Sequence, residues 1–147
     1  MIEASCHCGS VKLAIPRQPD AVTNCNCSVC RRYGALWAYF DPTEIRIQAE
    51  PGALHGYKTG AESIAFNRCA LCGCVTHWSP VAGRRKSNRM GVNVRMFKPD
   101  DLGPFKIRFL DGANTEEFVG EWSPVESVAQ PFGQGGAHRQ DAAPASA

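Results

Sequence analysis

Glu62-Ser-Ile-Ala-Phe-Asn-Arg68-Cys69-Ala-Leu-Cys72-Gly73-Cys74 is the stretch on which the reading of this chain turns. Its first half alternates polar and apolar residues, the period-two pattern of a half-buried strand. Its second half crowds three thiols into six residues, with a glycine directly after Cys72. A strand that runs into a Cys-x-x-Cys-Gly turn predicts an all-β domain whose turns are tied by metal. The rest of the chain repeats the theme. All eight cysteines fall into three clusters: Cys6-His-Cys8, Cys25-Asn-Cys27-Ser-Val-Cys30 and Cys69-Ala-Leu-Cys72-Gly-Cys74. Thiols at gaps of one and two residues are placed to converge on a metal ion rather than to pair as disulfides.

Geometry sharpens this. A zinc–thiolate bond is about 2.3 Å, so tetrahedral ligand sulfurs sit roughly 3.8 Å apart. Side chains at i and i+2 of a flat strand are about 6.5–7 Å apart. A Cys-x-Cys pair therefore chelates only if the backbone bends at the ligands, and Gly9 and Gly73 directly follow Cys8 and Cys72, where a positive φ would allow the bend. Cys6, Cys8, Cys69 and Cys72 form a natural four-sulfur set. A closed four-thiolate site is structural. Buried free cysteines or a redox pair are the alternatives. Cys25, Cys27 and Cys30 supply three thiolates and leave a fourth position open to water or to a substrate thiol, as in catalytic zinc sites. Cys74, His77, His7 or His55 could instead close that shell from a distance. A dithiol redox site or an iron–sulfur cluster are further readings.

Further segments alternate in the same way: Ser10–Ile15, Ile45–Ala49, Met90–Met96 and Phe105–Leu110. Short helical turns are predicted at Ser28–Tyr33 and Pro99–Leu102. The expected architecture is all-β, two packed antiparallel sheets. With 147 residues the chain reads as one domain, placed at residues 1–123. From about Pro124 the segments 131–137 and 142–147 carry little apolar bulk, so residues 124–147 are expected to form a mobile tail. Gly133, Gly135 and Gly136 resemble a phosphate loop but lack its strand–helix context. A net charge of +2 gives no reason to expect a nucleic-acid or membrane partner. The start runs straight into the first cluster without a leader-like segment, and the longest apolar run, residues 35–40, is far too short to span a bilayer. A cytoplasmic location is expected, where thiols stay reduced, and the sequon Asn26-Cys27-Ser28 is a chance match.

Around the clusters, Arg31 and Arg32 follow the three-thiol group, where they could neutralise its charge or bind a substrate carboxylate. Tyr33, Trp37, Tyr39 and Phe40 fit a core, with one or two lining a cleft. Arg84-Arg-Lys86 with Arg89 makes a basic loop, solvated or ligand-binding.

At Cys6-His-Cys8-Gly9-Ser10-Val11, Cys25-Asn-Cys27-Ser-Val-Cys30-Arg31-Arg32 and Cys69-Ala-Leu-Cys72-Gly73 the sequence resembles the glutathione-dependent formaldehyde-activating enzyme family, which includes the centromere protein V-like proteins. The likeness covers roughly residues 3–110. It implies a tent of β-sheets with two zinc ions. Cys6, Cys8, Cys69 and Cys72 would hold a structural zinc, and Cys25, Cys27 and Cys30 a reactive one. It also implies condensation of formaldehyde with glutathione to S-hydroxymethylglutathione, a carbon–sulfur lyase reaction. The chain departs from the pattern at Cys74, where a small hydroxyl residue is expected, and in its shorter length.

The resulting expectation is a zinc enzyme that binds glutathione or a related thiol at Cys25, Cys27 and Cys30 and adds it to, or releases it from, a small carbonyl. Arg31, Arg32 or the basic loop would anchor the substrate carboxylates, and His77 is a candidate proton partner. The alternative is a non-catalytic interaction module with two closed zinc sites. The sequence leaves the oligomeric state open.

Overall fold

A computed structural model describes residues 1–84 and 88–124 of the chain. The fold is all-β with two sheets. The smaller sheet joins β1 (Ile2–Ser5), β2 (Val11–Ile15) and β5 (Arg46–Ala49), all antiparallel. The larger adds β3 (Ala21–Cys25), β4 (Trp37–Phe40), β6 (Leu54–Lys58), β7 (Ile64–Cys69), β8 (Val75–Pro80), β9 (Met90–Asn93), β10 (Lys106–Leu110) and β11 (Phe118–Trp122). Its spatial order is β11-β10-β3-β4-β9-β8-β7-β6. Two four-residue α-helices, α1 (Cys30–Tyr33) and α2 (Pro99–Leu102), and two 3-10 turns, at Pro42–Glu44 and Val94–Met96, complete the described elements. No helix among the described residues is long and apolar enough to cross a membrane.

The alternating segments become β2, β5, β7, β9 and β10, with β9 ending early. The Asn93 side chain accepts the Arg95 N–H and starts a 3-10 turn over Val94–Met96. One pairing departs from a wholly antiparallel fold. β10 lies parallel to β3, with Leu110 opposite Cys25. Parallel neighbours need a long connection, and here the whole middle of the chain supplies it.

The central strands of the larger sheet divide core from site. Along β4, Ala38 and Phe40 enter the main core with Leu13, Ile15, Val22 and Val92. Trp37 and Tyr39 point to the opposite face, where they pack with Cys25, Cys30, Phe66 and Trp78. Side chains alternate along each strand, so one strand serves both layers. Gly91 lets Trp78 lie flat on this second face, since a Cβ there would collide with the indole ring. All of the expected tail at residues 124–147 except Pro124 lies outside the described residues, as do Gly133, Gly135 and Gly136 and the Arg85-Lys86 half of the basic loop.

Candidate functional site

Two hairpin turns of matching shape build the first sulfur group. In the β1–β2 turn, Cys6 N–H bonds Val11 O at 2.9 Å and Gly9 N–H bonds Cys6 O at 3.0 Å. In the β7–β8 turn, Cys69 N–H bonds Cys74 O at 2.9 Å and Gly73 N–H bonds Cys69 O at 3.0 Å. Gly9 (φ 80°) and Gly73 (φ 75°) make the left-handed step that bends each turn back on itself. The Sγ atoms of Cys6, Cys8, Cys69 and Cys72 lie within 4.8 Å of one another. Cys8 Sγ is 3.6 Å from Cys6 Sγ and 3.6 Å from Cys69 Sγ. Backbone N–H groups point at the sulfurs, from Val11 to Cys6 (3.3 Å) and from Cys72 to Cys69 (3.5 Å). Donors of this kind favour thiolates. Cys72 is pulled down to about 5, first by the backbone N–H groups of Cys74 and Cys8. Cys6 is buried and is pushed up to about 11 by desolvation.

Cys25, Cys27 and Cys30 form the second group, their Sγ atoms also within 4.8 Å of one another. Cys25 ends β3, Cys27 sits in the following turn and Cys30 opens α1. The turn folds its own N–H groups onto the sulfurs, Cys27 N to Cys25 Sγ at 3.5 Å and Cys30 N to Cys27 Sγ at 3.4 Å. The Trp37 indole N–H donates to Cys30 Sγ at 3.2 Å. Cys25 is pulled down to about 6 by the Cys30 thiol, with further help from the Cys27 and Gly112 backbone N–H groups. The same Cys25–Cys30 bond, together with burial, pushes Cys30 up.

This second group opens into a cleft of about 400 Å³. Trp37, Tyr39, Phe66, Trp78, Leu110 and Phe118 supply its apolar walls, and Arg89 and Glu116 are the charged residues of its described lining. The turn between β10 and β11 closes one side. Because Leu110 pairs with Cys25, this turn lands on the cysteine loop. Asn26 fastens the two together. Its Nδ2 donates to Asp111 Oδ1 at 2.8 Å, its Oδ1 accepts the Ala113 N–H at 2.9 Å, and its own N–H bonds Leu110 O at 3.2 Å. Gly112 packs so close that a Cβ there would lie 2.6 Å from Cys25 Sγ.

The other sequence-derived residues lie elsewhere. Cys74 packs beside Cys6, Cys69 and Cys72, at the first group. Cys74, His7, His55 and His77 do not join the three-sulfur group among the described residues. His77 is buried and sits opposite Val92, on the core side of the sheet from Trp78. Burial pulls its pKa down to about 4, so it is neutral at ordinary pH. Arg31 and Arg32 are exposed and outside the cleft lining, and Arg32 donates to Ser28 O at 2.6 Å. At about 100° per residue, α1 turns them away when Cys30 faces inward. Arg84 pairs with Glu62 at 3.7 Å. Asn26, Asp111, Gly112 and Glu116 escaped the sequence reading. The one local signal was Asp111-Gly112 directly after an alternating strand, a hairpin-turn dipeptide.

Fold and site together define a class: a two-sheet β domain with one four-thiol and one three-thiol group, each placed to hold a metal ion. The chain belongs to the glutathione-dependent formaldehyde-activating enzyme family, whose model matches residues 1–109. It is similar to a Rhodobacter sphaeroides protein of known crystal structure, at 32% identity and a TM-score of 0.56. That alignment covers 70% of this chain and 96% of the other. No curated protein matches the chain at comparable stringency.

Proposed function

We propose that the chain is a zinc-dependent enzyme of the carbon–sulfur lyase type. It binds a thiol such as glutathione at Cys25, Cys27 and Cys30 and joins it to, or frees it from, a small carbonyl such as formaldehyde. One observation carries this reading. The three sulfurs gather at the floor of an open cleft, while Cys74, the thiol best suited to close their shell, is packed at the other group.

Both groups suit zinc. The 3.6 Å sulfur separations of the first are near the roughly 3.8 Å of a tetrahedral thiolate site. Four thiolates there would close the shell and tie the β1–β2 turn to the β7–β8 turn. The second group offers three thiolates and no fourth among the described residues. Zinc held there would keep a thiol deprotonated at neutral pH.

The protein's own groups do the rest. The N–H groups of Cys27, Cys30 and Gly112 and the Trp37 indole spread the charge of the sulfur cluster. The aromatic walls leave room for a small carbonyl and exclude water from one side of it. In the forward direction the sulfur forms a bond to the carbonyl carbon and the C=O π pair moves to oxygen. The proton lost by the thiol ends on that oxygen, with no net oxidation. His77 faces the core and is a poor proton partner.

Exchange NMR on glutathione and ¹³C-formaldehyde tests the proposal. Catalytic amounts of the metal-loaded protein should speed interconversion of free formaldehyde and S-hydroxymethylglutathione. An exchange rate equal to the protein-free rate would reject the activity.

A further inference from the structure

Arg89 and Glu116 are the charged residues among the described lining of the three-cysteine cleft. Both are exposed at its rim. The described ion pairs use Arg17, Arg84 and Lys106 as their cations. Neither Arg89 nor Glu116 has an ion-pair or side-chain hydrogen-bond partner among the described residues. Arg89 instead lies over the Tyr39 ring, 4.2 Å from its centroid. This contact holds the guanidinium against the cleft wall and leaves its N–H fork unused.

Glu116 holds an unusual backbone conformation. Its φ of 59° is left-handed, and its N–H bonds Asp111 O at 2.8 Å. Glycine or asparagine would adopt that conformation at lower cost. The turn therefore places a carboxylate at the cleft mouth where a less strained residue would serve the backbone better. Two unpaired, opposite charges on one cleft suit a ligand that carries both.

We propose that Arg89 and Glu116 read the α-amino-acid head of the thiol substrate, Arg89 taking its carboxylate and Glu116 its ammonium group. This rests on the thiol-binding reading of the three-cysteine site. In glutathione the γ-glutamyl end is such a head, and it lies several bonds from the sulfur. That separation suits charges at the rim and sulfurs at the floor. The walls between are apolar and suit the methylene groups of the connecting chain. Arg31 and Arg32, outside the lining, take no part.

Calorimetry on the metal-loaded full chain tests this with three thiols: glutathione, its desamino analogue glutaryl-cysteinylglycine, and its decarboxy analogue 4-aminobutyryl-cysteinylglycine. A charge-assisted contact makes each analogue about tenfold weaker than glutathione on the wild type. Glu116→Gln should weaken glutathione about tenfold and leave the desamino analogue unchanged. Arg89→Gln should weaken glutathione similarly and leave the decarboxy analogue unchanged. Equal binding of all three thiols by the wild type would overturn the pair alone, as would variants that weaken all three alike. If the wild type binds none of them, or if binding survives Cys27→Ser, the thiol site itself is wrong and the pair falls with it.

Discussion

The two sulfur groups are built from the same side chain in opposite ways. The four-thiol group joins segments about sixty residues apart through two turns that copy each other's hydrogen bonds. Cys6 and Cys69 are about 1% and 0% exposed there. The three-thiol group comes from one short loop and faces a cleft. Its support is a second loop, held on by Asn26 and by the closeness of Gly112 to Cys25. A metal at the first would bridge distant parts of the chain and so carry folding energy. A metal at the second would bridge residues already adjacent, and its loss should cost the fold little.

Breaking the first group should have the largest effect. Structural zinc binding is worth about 10–16 kcal/mol, against a typical domain stability of about 5–15 kcal/mol. Cys6→Ser should therefore yield unfolded or aggregated protein. A native-like circular dichroism spectrum with a cooperative melt would contradict the structural role. Cys27→Ser should act oppositely. The variant is expected to melt within a few degrees of wild type, yet to hold one metal per chain in place of two and to lose glutathione binding. Two metals per chain by elemental analysis would refute that assignment.

How much of this contrast was legible in the sequence follows from burial and range. The two cysteine turns were readable because a Cys-Gly step states its own geometry, and Gly9 and Gly73 do adopt positive φ. β2, β5, β7, β9 and β10 were readable because each alternates in sequence. β3, β4 and β8 were not, because core and site cover both of their faces and erase the alternation. The edge strand β11 is exposed throughout and has no alternation either. Nor could spacing show that Leu110 pairs with Cys25, a contact between positions 85 residues apart. Asn26, Gly112, Arg89 and Glu116 all enter the site through that register or through the fold of the sheet. The sequence pointed first to Arg31 and Arg32, which are adjacent in the chain, and offered Arg89 only as part of a basic loop. A single helical turn moves them out of the cleft.

Smaller perturbations sharpen the contrast. Gly112→Ala should push the β10–β11 turn off Cys25, costing about 1–3 kcal/mol as overpacking usually does. It should weaken the second metal while sparing the first. A competition titration with a chromophoric chelator would detect this as one weakened site of two, and two unchanged affinities would contradict the packing account. Cys74→Ser should have the smallest effect. Two metals per chain and glutathione affinity within about twofold of wild type are expected. Loss of the second metal in this variant would mean that Cys74 completes the three-thiol shell.

The central claim is that one metal shell is closed by protein and the other is left open to a substrate thiol. X-ray absorption at the zinc edge, with and without glutathione, measures this directly. Averaged over two zincs, the account predicts fewer than four sulfurs per metal in the free protein, rising toward four when glutathione is added. Four sulfurs per zinc before any thiol is added, with no change afterwards, would contradict it.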